Sequence, residues 1–104
     1  MFNIVRVQYT AKPEYAAKNK ENIAQVMNDL RATNNPHIRY GTYLFADGKT
    51  FMHFTHFENE AAHKLLMELP SFIKFQTELK SSGFEVPPKT ENLSLVGSSF
   101  DVFG

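Results

Sequence analysis

The sequence contains no cysteine, and this absence excludes several kinds of chemistry. Without thiols the chain forms no disulfide bond, binds no metal through thiolates and uses no cysteine nucleophile. A chain without disulfides fits a reducing compartment, so we expect a cytoplasmic protein. With 104 residues, of which 42% are hydrophobic, the sequence suits one domain, residues 1–104, with a single core.

The sequence also lacks a net charge and a long hydrophobic run. Lysine plus arginine and aspartate plus glutamate both number 11, so the formal charge is zero. No basic stripe favours nucleic acid as a partner, and no acidic tail indicates a solvating segment. Because no apolar run approaches the length that crosses a bilayer, we expect no membrane partner.

Motifs of several enzyme and binding classes are missing as well. The serine-nucleophile elbow G-x-S-x-G is absent, and so are both Gly-rich phosphate-binding patterns. An RNP-type pattern, which would place RNA on an aromatic strand, does not occur. These absences leave small-molecule and protein partners as the classes to consider.

What the sequence does contain is an aromatic, alternating stretch on both sides of Asp47-Gly48, YLFADGKTFMHFTHF. Asp-Gly between two such runs predicts a two-residue β-hairpin, with Leu44 facing Phe51. One face of this hairpin carries Tyr40, Thr42, Leu44, Phe51, His53, Thr55 and Phe57. The other face carries Arg39, Gly41, Tyr43, Phe45, Met52, Phe54 and His56. Both faces are aromatic, whereas a hairpin with one wet face alternates apolar with polar residues.

The segment before the hairpin reads as a strand followed by a helix. Phe2 to Thr10 alternates, which predicts a strand rather than a signal peptide. From Glu14 the period changes, and a helix of roughly twenty residues is predicted that ends at Asn34-Asn35-Pro36. The apolar stripe of this helix consists of Ile23, Val26, Met27 and Leu30.

The segment after the hairpin reads as an interrupted helix and a last strand. Asn59 is a suitable N-cap, Pro70 interrupts the helix, and Ser71 restarts it. Pro87-Pro88 is predicted to be a stiff connector, and Thr90 to about Ser99 is predicted to be the last strand. The inward side chains of the second helical piece are Phe72, Phe75 and Leu79.

The resulting order, β-α-β-β-α-β, predicts an α+β fold of the ferredoxin-like type. In this fold a four-stranded antiparallel sheet carries both helices on one face. The helices leave one aromatic face of the sheet without cover, either the face that carries Arg39, Tyr43, Phe45, Met52, Phe54 and His56 or the opposite one. An exposed apolar patch of that width marks an interface. Because closed twofold dimers are the commonest oligomers, we expect a homodimer in which two sheets form an α+β barrel. The alternative is an open sheet that tolerates scattered aromatic residues.

The run from Phe51 to Phe72, FMHFTHFENEAAHKLLMELPSF, resembles the antibiotic biosynthesis monooxygenase type of dimeric α+β barrel. The similar features are an aromatic residue ending the third strand, then an acidic residue, "E-A" opening a helix, and a proline break. Here these features fall on Phe57, Glu58, Glu60-Ala61 and Leu69-Pro70-Ser71. The resemblance implies the same fold and a homodimer.

The resemblance also implies an activity and argues against another. Quinone-forming members of this group work without metal or flavin, on the electron-rich ring of an aromatic or polyketide-like substrate. Phe57 and Leu66 stand where many members carry tryptophan and histidine. Haem-degrading relatives have an iron-binding histidine where this chain has Gln76, and an asparagine near Arg6. The expected function is therefore that of a small cofactor-independent monooxygenase. The alternative is a non-catalytic homodimeric barrel that binds a small apolar or aromatic ligand or serves as a structural partner.

His53 is the candidate catalytic residue. It shares its strand face with four candidate ligand-binding residues, a mixed polar and aromatic set suited to lining a pocket between sheet and helices. A buried histidine there can act as acid or base. The alternative is a core histidine that a hydroxyl such as Thr42 satisfies. The four candidate ligand-binding residues are Tyr40, Thr42, Thr55 and Phe57.

The other histidines give weaker indications. His53 and His56 are three residues apart on one strand and point to opposite faces, so we expect no metal site. Arg39 and His56 face each other on the second face. They are candidates either for holding an anionic ligand in the barrel or for polar contacts across the dimer axis.

Overall fold

The computed structural model describes residues 3–103, so the predicted strand start at Phe2 lies outside the described residues. The sheet has four antiparallel strands, which in spatial order are Ile38–Leu44, Thr50–Phe57, Asn3–Ala11 and Phe84–Leu93, and the predicted ferredoxin-like fold is confirmed. Among the described residues, no helix is long and apolar enough to cross a bilayer. In chain order the elements are β1 (Asn3–Ala11), α1 (Ala16–Thr33), β2 (Ile38–Leu44), β3 (Thr50–Phe57), α2 (Glu60–Glu68), α3 (Pro70–Ser82) and β4 (Phe84–Leu93).

The hairpin of β2 and β3 has the predicted register but a wider turn. Leu44 pairs with Phe51 as expected. The Phe45 N–H donates to the Thr50 carbonyl at 2.9 Å, so the connection spans residues 46–49 and the predicted two-residue turn is wrong. The Asp47 carboxylate explains the difference, because its Oδ1 accepts the N–H groups of Lys49 at 2.9 Å and Thr50 at 2.8 Å. The predicted two-residue turn and the observed connection are both centred on Asp47-Gly48, so the strand register is the predicted one.

The last strand differs from its prediction. It ends at Leu93, whereas the sequence pattern placed it from Thr90 to about Ser99. Pro87-Pro88 lies within the strand rather than forming a connector. β4 is at the edge of the sheet, and its register with β1 shifts between Gln8 and Thr10, opposite the prolines. Edge positions and bulges are where a strand accepts residues without an N–H.

The helix boundaries after β3 follow from a cap and a proline. Asn59 caps α2 as predicted, with its Oδ1 accepting the Ala62 N–H at 2.9 Å. Pro70 ends α2 and occupies the first turn of α3, where its missing N–H has no helical partner in any case. Leu69, in extended conformation, separates the two helices, so the predicted interruption is confirmed, and α3 begins at Pro70, one residue before the predicted Ser71.

The Asn59→Ala variant is expected to lower the free energy of unfolding by about 1 kcal/mol, because the first turn of α2 loses its side-chain acceptor. Urea unfolding followed by circular dichroism measures the change. The Asn59→Asp variant keeps an acceptor and is the matched control, which is expected to stay close to wild type. An alanine variant as stable as wild type would contradict the capping role.

The three helices cover one face of the sheet and leave the other face open. The covered face holds the core, with Phe51 and Phe57 of β3 and Leu66 of α2 all buried. On the open face, by contrast, Tyr43 is 59% exposed. Its ring lies over Gly41, where an added Cβ would come within 3.3 Å of the Tyr43 hydroxyl.

Residues after β4 cover one end of the open face. The Phe103 ring centroid lies 6.5 Å from that of His56 and 5.4 Å from the Arg39 guanidinium carbon. Arg39 and His56 are register partners, as the sequence indicated. Ile4, which pairs with His56 in β1, is buried. The open face is therefore bare only over its remaining part, towards the hairpin turn.

Candidate functional site

A cavity of about 670 Å³ lies between the covered sheet face and helices α2 and α3. Its walls are largely apolar and include Phe72 and Phe75 of α3. Four of the five predicted site residues line this cavity, and Thr42 is the exception. The four are Tyr40, His53, Thr55 and Phe57.

His53 is buried at the sheet side of the cavity with both ring nitrogens hydrogen-bonded. Its Nε2 lies 2.8 Å from the Tyr9 hydroxyl. Its Nδ1 lies 2.7 Å from the Tyr40 hydroxyl and 3.0 Å from Thr42 Oγ1. Thr42 therefore contacts His53 from behind rather than facing the cavity, and the contact expected for a satisfied core histidine is present.

Aromatic rings enclose the His53 imidazole. Its centroid lies 5.4 Å from the Tyr9 ring and 5.3 Å from the Phe75 ring. This burial lowers the pKa of His53 to about 4, because the charged imidazolium loses its hydration. Burial likewise raises the pKa of Tyr9 and of Tyr40 well above that of free tyrosine. At neutral pH the three hydrogen-bonded groups are all uncharged.

Asn19 is part of the site and did not emerge from the sequence as a candidate. It is fully buried in α1, and its Nδ2 donates to the Tyr9 hydroxyl at 2.8 Å. The sequence feature that could have identified Asn19 is its spacing, since it precedes Ile23 by four residues and Val26 by seven. An amide on the apolar stripe of a helix requires a buried polar partner.

The rim of the cavity is polar and carries no negative charge. His63 of α2 is exposed, and its ring packs edge-on against Phe57 with centroids 4.9 Å apart. Gln76 and Lys80, one turn apart on α3, complete the rim. Among the described residues, no acidic side chain lines the cavity. The lining therefore suits a neutral or anionic aromatic molecule better than a cationic one.

A second cavity, of about 660 Å³, forms an open groove between the carboxyl-terminal half of α1 and β2. Leu30 of α1 lies on one side and Thr42 of β2 on the other. Tyr40 lines both this groove and the first cavity. The two spaces are thus separated by the layer that holds Tyr40, Thr42 and His53.

Metal binding has little support in the part of the chain that the structure describes. There, no group of three histidine, aspartate or glutamate side chains lies close enough to hold an ion. His53 faces the core, and His56 lies on the open face, as the strand period requires.

Comparisons with known proteins show similarity in fold. No profile of a known protein family matches the sequence, and no curated protein matches it significantly. Among solved structures, Rv0793 from Mycobacterium tuberculosis is 15% identical with a TM-score of 0.77, covering 96% of this chain and 100% of that one. A structure described as an antibiotic biosynthesis monooxygenase is 12% identical with a TM-score of 0.71, covering 93% and 100% of the two chains.

A further similar structure is a single-site variant of SnoaB from Streptomyces nogalater, described as a cofactor-independent oxygenase. It is 11% identical with a TM-score of 0.70, and the match covers 96% of this chain and 98% of that one. At these identities the shared property is the fold. The domain is therefore antibiotic biosynthesis monooxygenase-like in fold, as the sequence resemblance implied.

Proposed function

We propose that the protein is a cofactor-independent monooxygenase that acts on an aromatic or polyketide-like molecule. One observation carries the proposal: a neutral, buried His53, hydrogen-bonded to Tyr9 and Tyr40, faces a largely apolar cavity of about 670 Å³. That volume is in the range of small-molecule sites, and a few polar groups set into apolar walls are typical of them. Similar folds described as oxygenases add support, although a fold alone does not determine chemistry.

The reaction uses the electron-rich ring of the substrate itself. Loss of a proton from a phenolic hydroxyl makes the ring electron-rich enough to reduce O₂. The oxygen then bonds to a ring carbon as a hydroperoxide, and loss of water leaves a quinone. One oxygen atom enters the substrate, the other leaves as water, and the substrate loses two hydrogens. The only demand on the protein is to hold the ring, remove the proton and exclude bulk water.

The residues of the cavity can meet this demand. The rings of Phe57, Phe72 and Phe75 provide apolar surface for a fused-ring substrate. His53 is neutral at pH 7 and can accept the proton through its hydrogen-bonded hydroxyl neighbours. The low pKa of His53 means that an isolated imidazolium is unfavourable in this site. A phenolate formed beside the imidazolium offsets that cost, since opposite charges attract strongly in a buried site.

The His53→Ala variant tests this proposal and is expected to lower kcat by about 100-fold, the lower end of the range for lost acid–base groups. Oxygen uptake with a panel of electron-rich phenols, anthrones and naphthols measures turnover. The matched control is His37→Ala, an exposed histidine outside both cavities, which is expected to keep full activity. A dimeric, folded His53→Ala variant with unchanged turnover would remove His53 from the mechanism.

A second candidate function follows from the hydrogen bonds of His53. Because both of its nitrogens have partners within the chain, it needs no substrate to satisfy them. This favours a non-catalytic barrel that binds a small apolar or aromatic ligand. The two functions separate when the same panel is examined by calorimetry and by oxygen uptake. Binding without oxygen uptake by any member supports the non-catalytic barrel.

We also propose that two copies associate through the bare part of the open face. Tyr43 is 59% exposed there, next to half-buried Met52 and Phe54 of β3. Exposed aromatic side chains clustered on one flat face are typical of interfaces between subunits. Face-to-face packing of two such sheets would form the barrel that the sequence resemblance implies.

A further inference from the structure

A continuous chain of hydrogen bonds crosses the core at His53. It starts at the Asn19 amide, which donates to the Tyr9 hydroxyl at 2.8 Å. It continues from Tyr9 to His53 Nε2 at 2.8 Å, and from His53 Nδ1 to Thr42 Oγ1 at 3.0 Å. The Tyr40 hydroxyl, 2.7 Å from Nδ1, joins the chain at the same point.

The donor at one end fixes the direction of the next bond. The Asn19 Nδ2 group can only donate, so the Tyr9 oxygen accepts. Nε2 is the other hydrogen-bond partner that the structure shows for the Tyr9 hydroxyl, so the Tyr9 proton has an acceptor there when Nε2 carries no proton of its own. A neutral imidazole carries one proton, and in this arrangement it lies on Nδ1. The Nδ1–H group donates to the oxygens of Thr42 and Tyr40.

The opposite orientation of the Asn19 amide is less favourable. As it stands, Asn19 Oδ1 is buried without a hydrogen-bond partner. Rotating the amide would put its NH₂ group in that place and leave buried N–H donors unpaired. Unpaired buried N–H groups are rarer in folded proteins than carbonyl oxygens with a free lone pair. The observed orientation is therefore the one that the surroundings select.

The chain of hydrogen bonds also joins the two cavities. Tyr9 and His53 line the first cavity, where the ligand is proposed to bind. Thr42 lines the groove beside α1, which, like the first cavity, is open to solvent. A proton that enters at Tyr9 therefore has a hydrogen-bonded route out of the core towards the groove beside α1.

We infer that Asn19 is a positioning residue that holds His53 as its Nδ1–H tautomer and so directs a proton from a ligand in the cavity to water in the groove. The route rests on the proposed function, whereas the tautomer does not. In the step, the ligand hydroxyl gives its proton to the Tyr9 oxygen as the Tyr9 proton passes to Nε2. The Nδ1 proton passes to Thr42, whose own proton moves to water.

The balance of this step leaves no charge on the protein. The ligand ends as an anion, one water in the groove gains a proton, and Tyr9, His53 and Thr42 are all neutral again. A concerted transfer avoids both a tyrosinate and an imidazolium, which burial disfavours at these positions. Afterwards the Tyr9 and Thr42 hydroxyls and the imidazole must rotate or exchange protons to restore the starting arrangement.

Long-range ¹H–¹⁵N correlation spectra of the labelled protein test the tautomer without any substrate. We expect wild type to carry the proton on Nδ1 of His53, and the Asn19→Leu variant to lose this preference and gain the Nε2–H form. Asn22→Leu is the matched control, since Asn22 is also a buried amide of α1 but bonds to Glu78 at 2.9 Å. Wild-type spectra with the proton on Nε2 would overturn the inference, even if no variant folds. So would an equal shift in both variants.

The Thr42→Val variant tests the route. We expect it to reduce kcat by about 10-fold and to raise the solvent isotope effect, with unchanged KM. Unaltered kcat and isotope effect would overturn the route while leaving the proposed oxygenase intact. If no substrate of any class is turned over, the proposed function fails, and the tautomer spectra still decide the positioning role of Asn19.

Discussion

The Tyr43→Glu variant is expected to be monomeric at concentrations at which wild type forms the proposed dimer. Tyr43 is the most exposed large residue of the bare part of the open face, at 59%. In the proposed dimer a carboxylate at this position would be buried against a second sheet. The desolvation of one such charge costs several kcal/mol, which corresponds to a dissociation constant raised at least ~1,000-fold. Sedimentation equilibrium over a range of concentrations measures it.

A matched control distinguishes the interface from a general effect of added charge. Ile73 of α3 is also an exposed apolar residue, at 48%, but it lies on the helical side of the sheet. The Ile73→Glu variant is expected to dimerise as wild type does. A wild-type chain that sediments as a monomer at high concentration would refute the proposed interface, and so would a Tyr43→Glu variant that remains fully dimeric.

The covered end of the open face limits where the interface lies. The sequence made Arg39 and His56 candidates for polar contacts across a dimer axis. In the structure Phe103 packs near both, so these two side chains already contact their own chain. The bare part lies at the other end of β2 and β3, towards the turn. The interface is therefore expected to centre on Tyr43 and Met52 rather than on Arg39.

The register of the hairpin could be predicted because it depends on local pattern. A side-chain period of two and a turn centred on Asp47-Gly48 determine which residues share a face. The same pattern placed Tyr40, His53, Thr55 and Phe57 together, and all four line the cavity. The width of the turn could not be read in this way, since it depends on the Asp47 side chain accepting backbone N–H groups.

The predicted position of the last strand is wrong because amino-acid composition favours the segment that follows the true strand. Leu95 and Val96 follow Leu93 in an apolar run typical of a strand, whereas Pro87-Pro88 is typical of a connector. In the structure, position at the sheet edge and a register shift opposite Gln8 accommodate the prolines. Val96 is fully exposed outside the sheet. The position of each segment in the folded sheet determines which one forms the strand, and the pattern of one segment alone does not contain that information.

The polar residues of the site also divide into those that a local pattern predicts and those that only the fold reveals. Thr42 was expected in the pocket because it shares a face with His53, but its hydroxyl turns to Nδ1 and borders the groove instead. Asn19 comes from another element, and only the packing of α1 against β1 brings it to Tyr9. Alternation along a strand shows which side chains share a face of the sheet. Which side chains from different elements form hydrogen bonds with one another can be seen only in the folded structure.

The burial of His53 has a further consequence, since wild type is expected to lose roughly 3 kcal/mol of stability between pH 6.5 and pH 4 through this residue. The pKa of His53 is about 4 in the folded chain and 6.5 in the unfolded chain. Below pH 6.5 the unfolded chain binds a proton that the folded chain does not bind, so stability falls as the pH falls, and this contribution levels off below pH 4. Urea unfolding at fixed protein concentration across this range measures the loss.

The His53→Gln variant isolates this contribution, because glutamine has no charge to gain while other groups titrate as before. The difference in unfolding free energy between wild type and variant is expected to be constant above pH 7 and to change by roughly 3 kcal/mol on going to pH 4. A constant difference over the whole range would mean that His53 takes up its proton as easily in the folded chain as in the unfolded one. The pKa of His53 would then lie near 6.5 in the folded chain, and a minority of His53 side chains would carry a charge at pH 7.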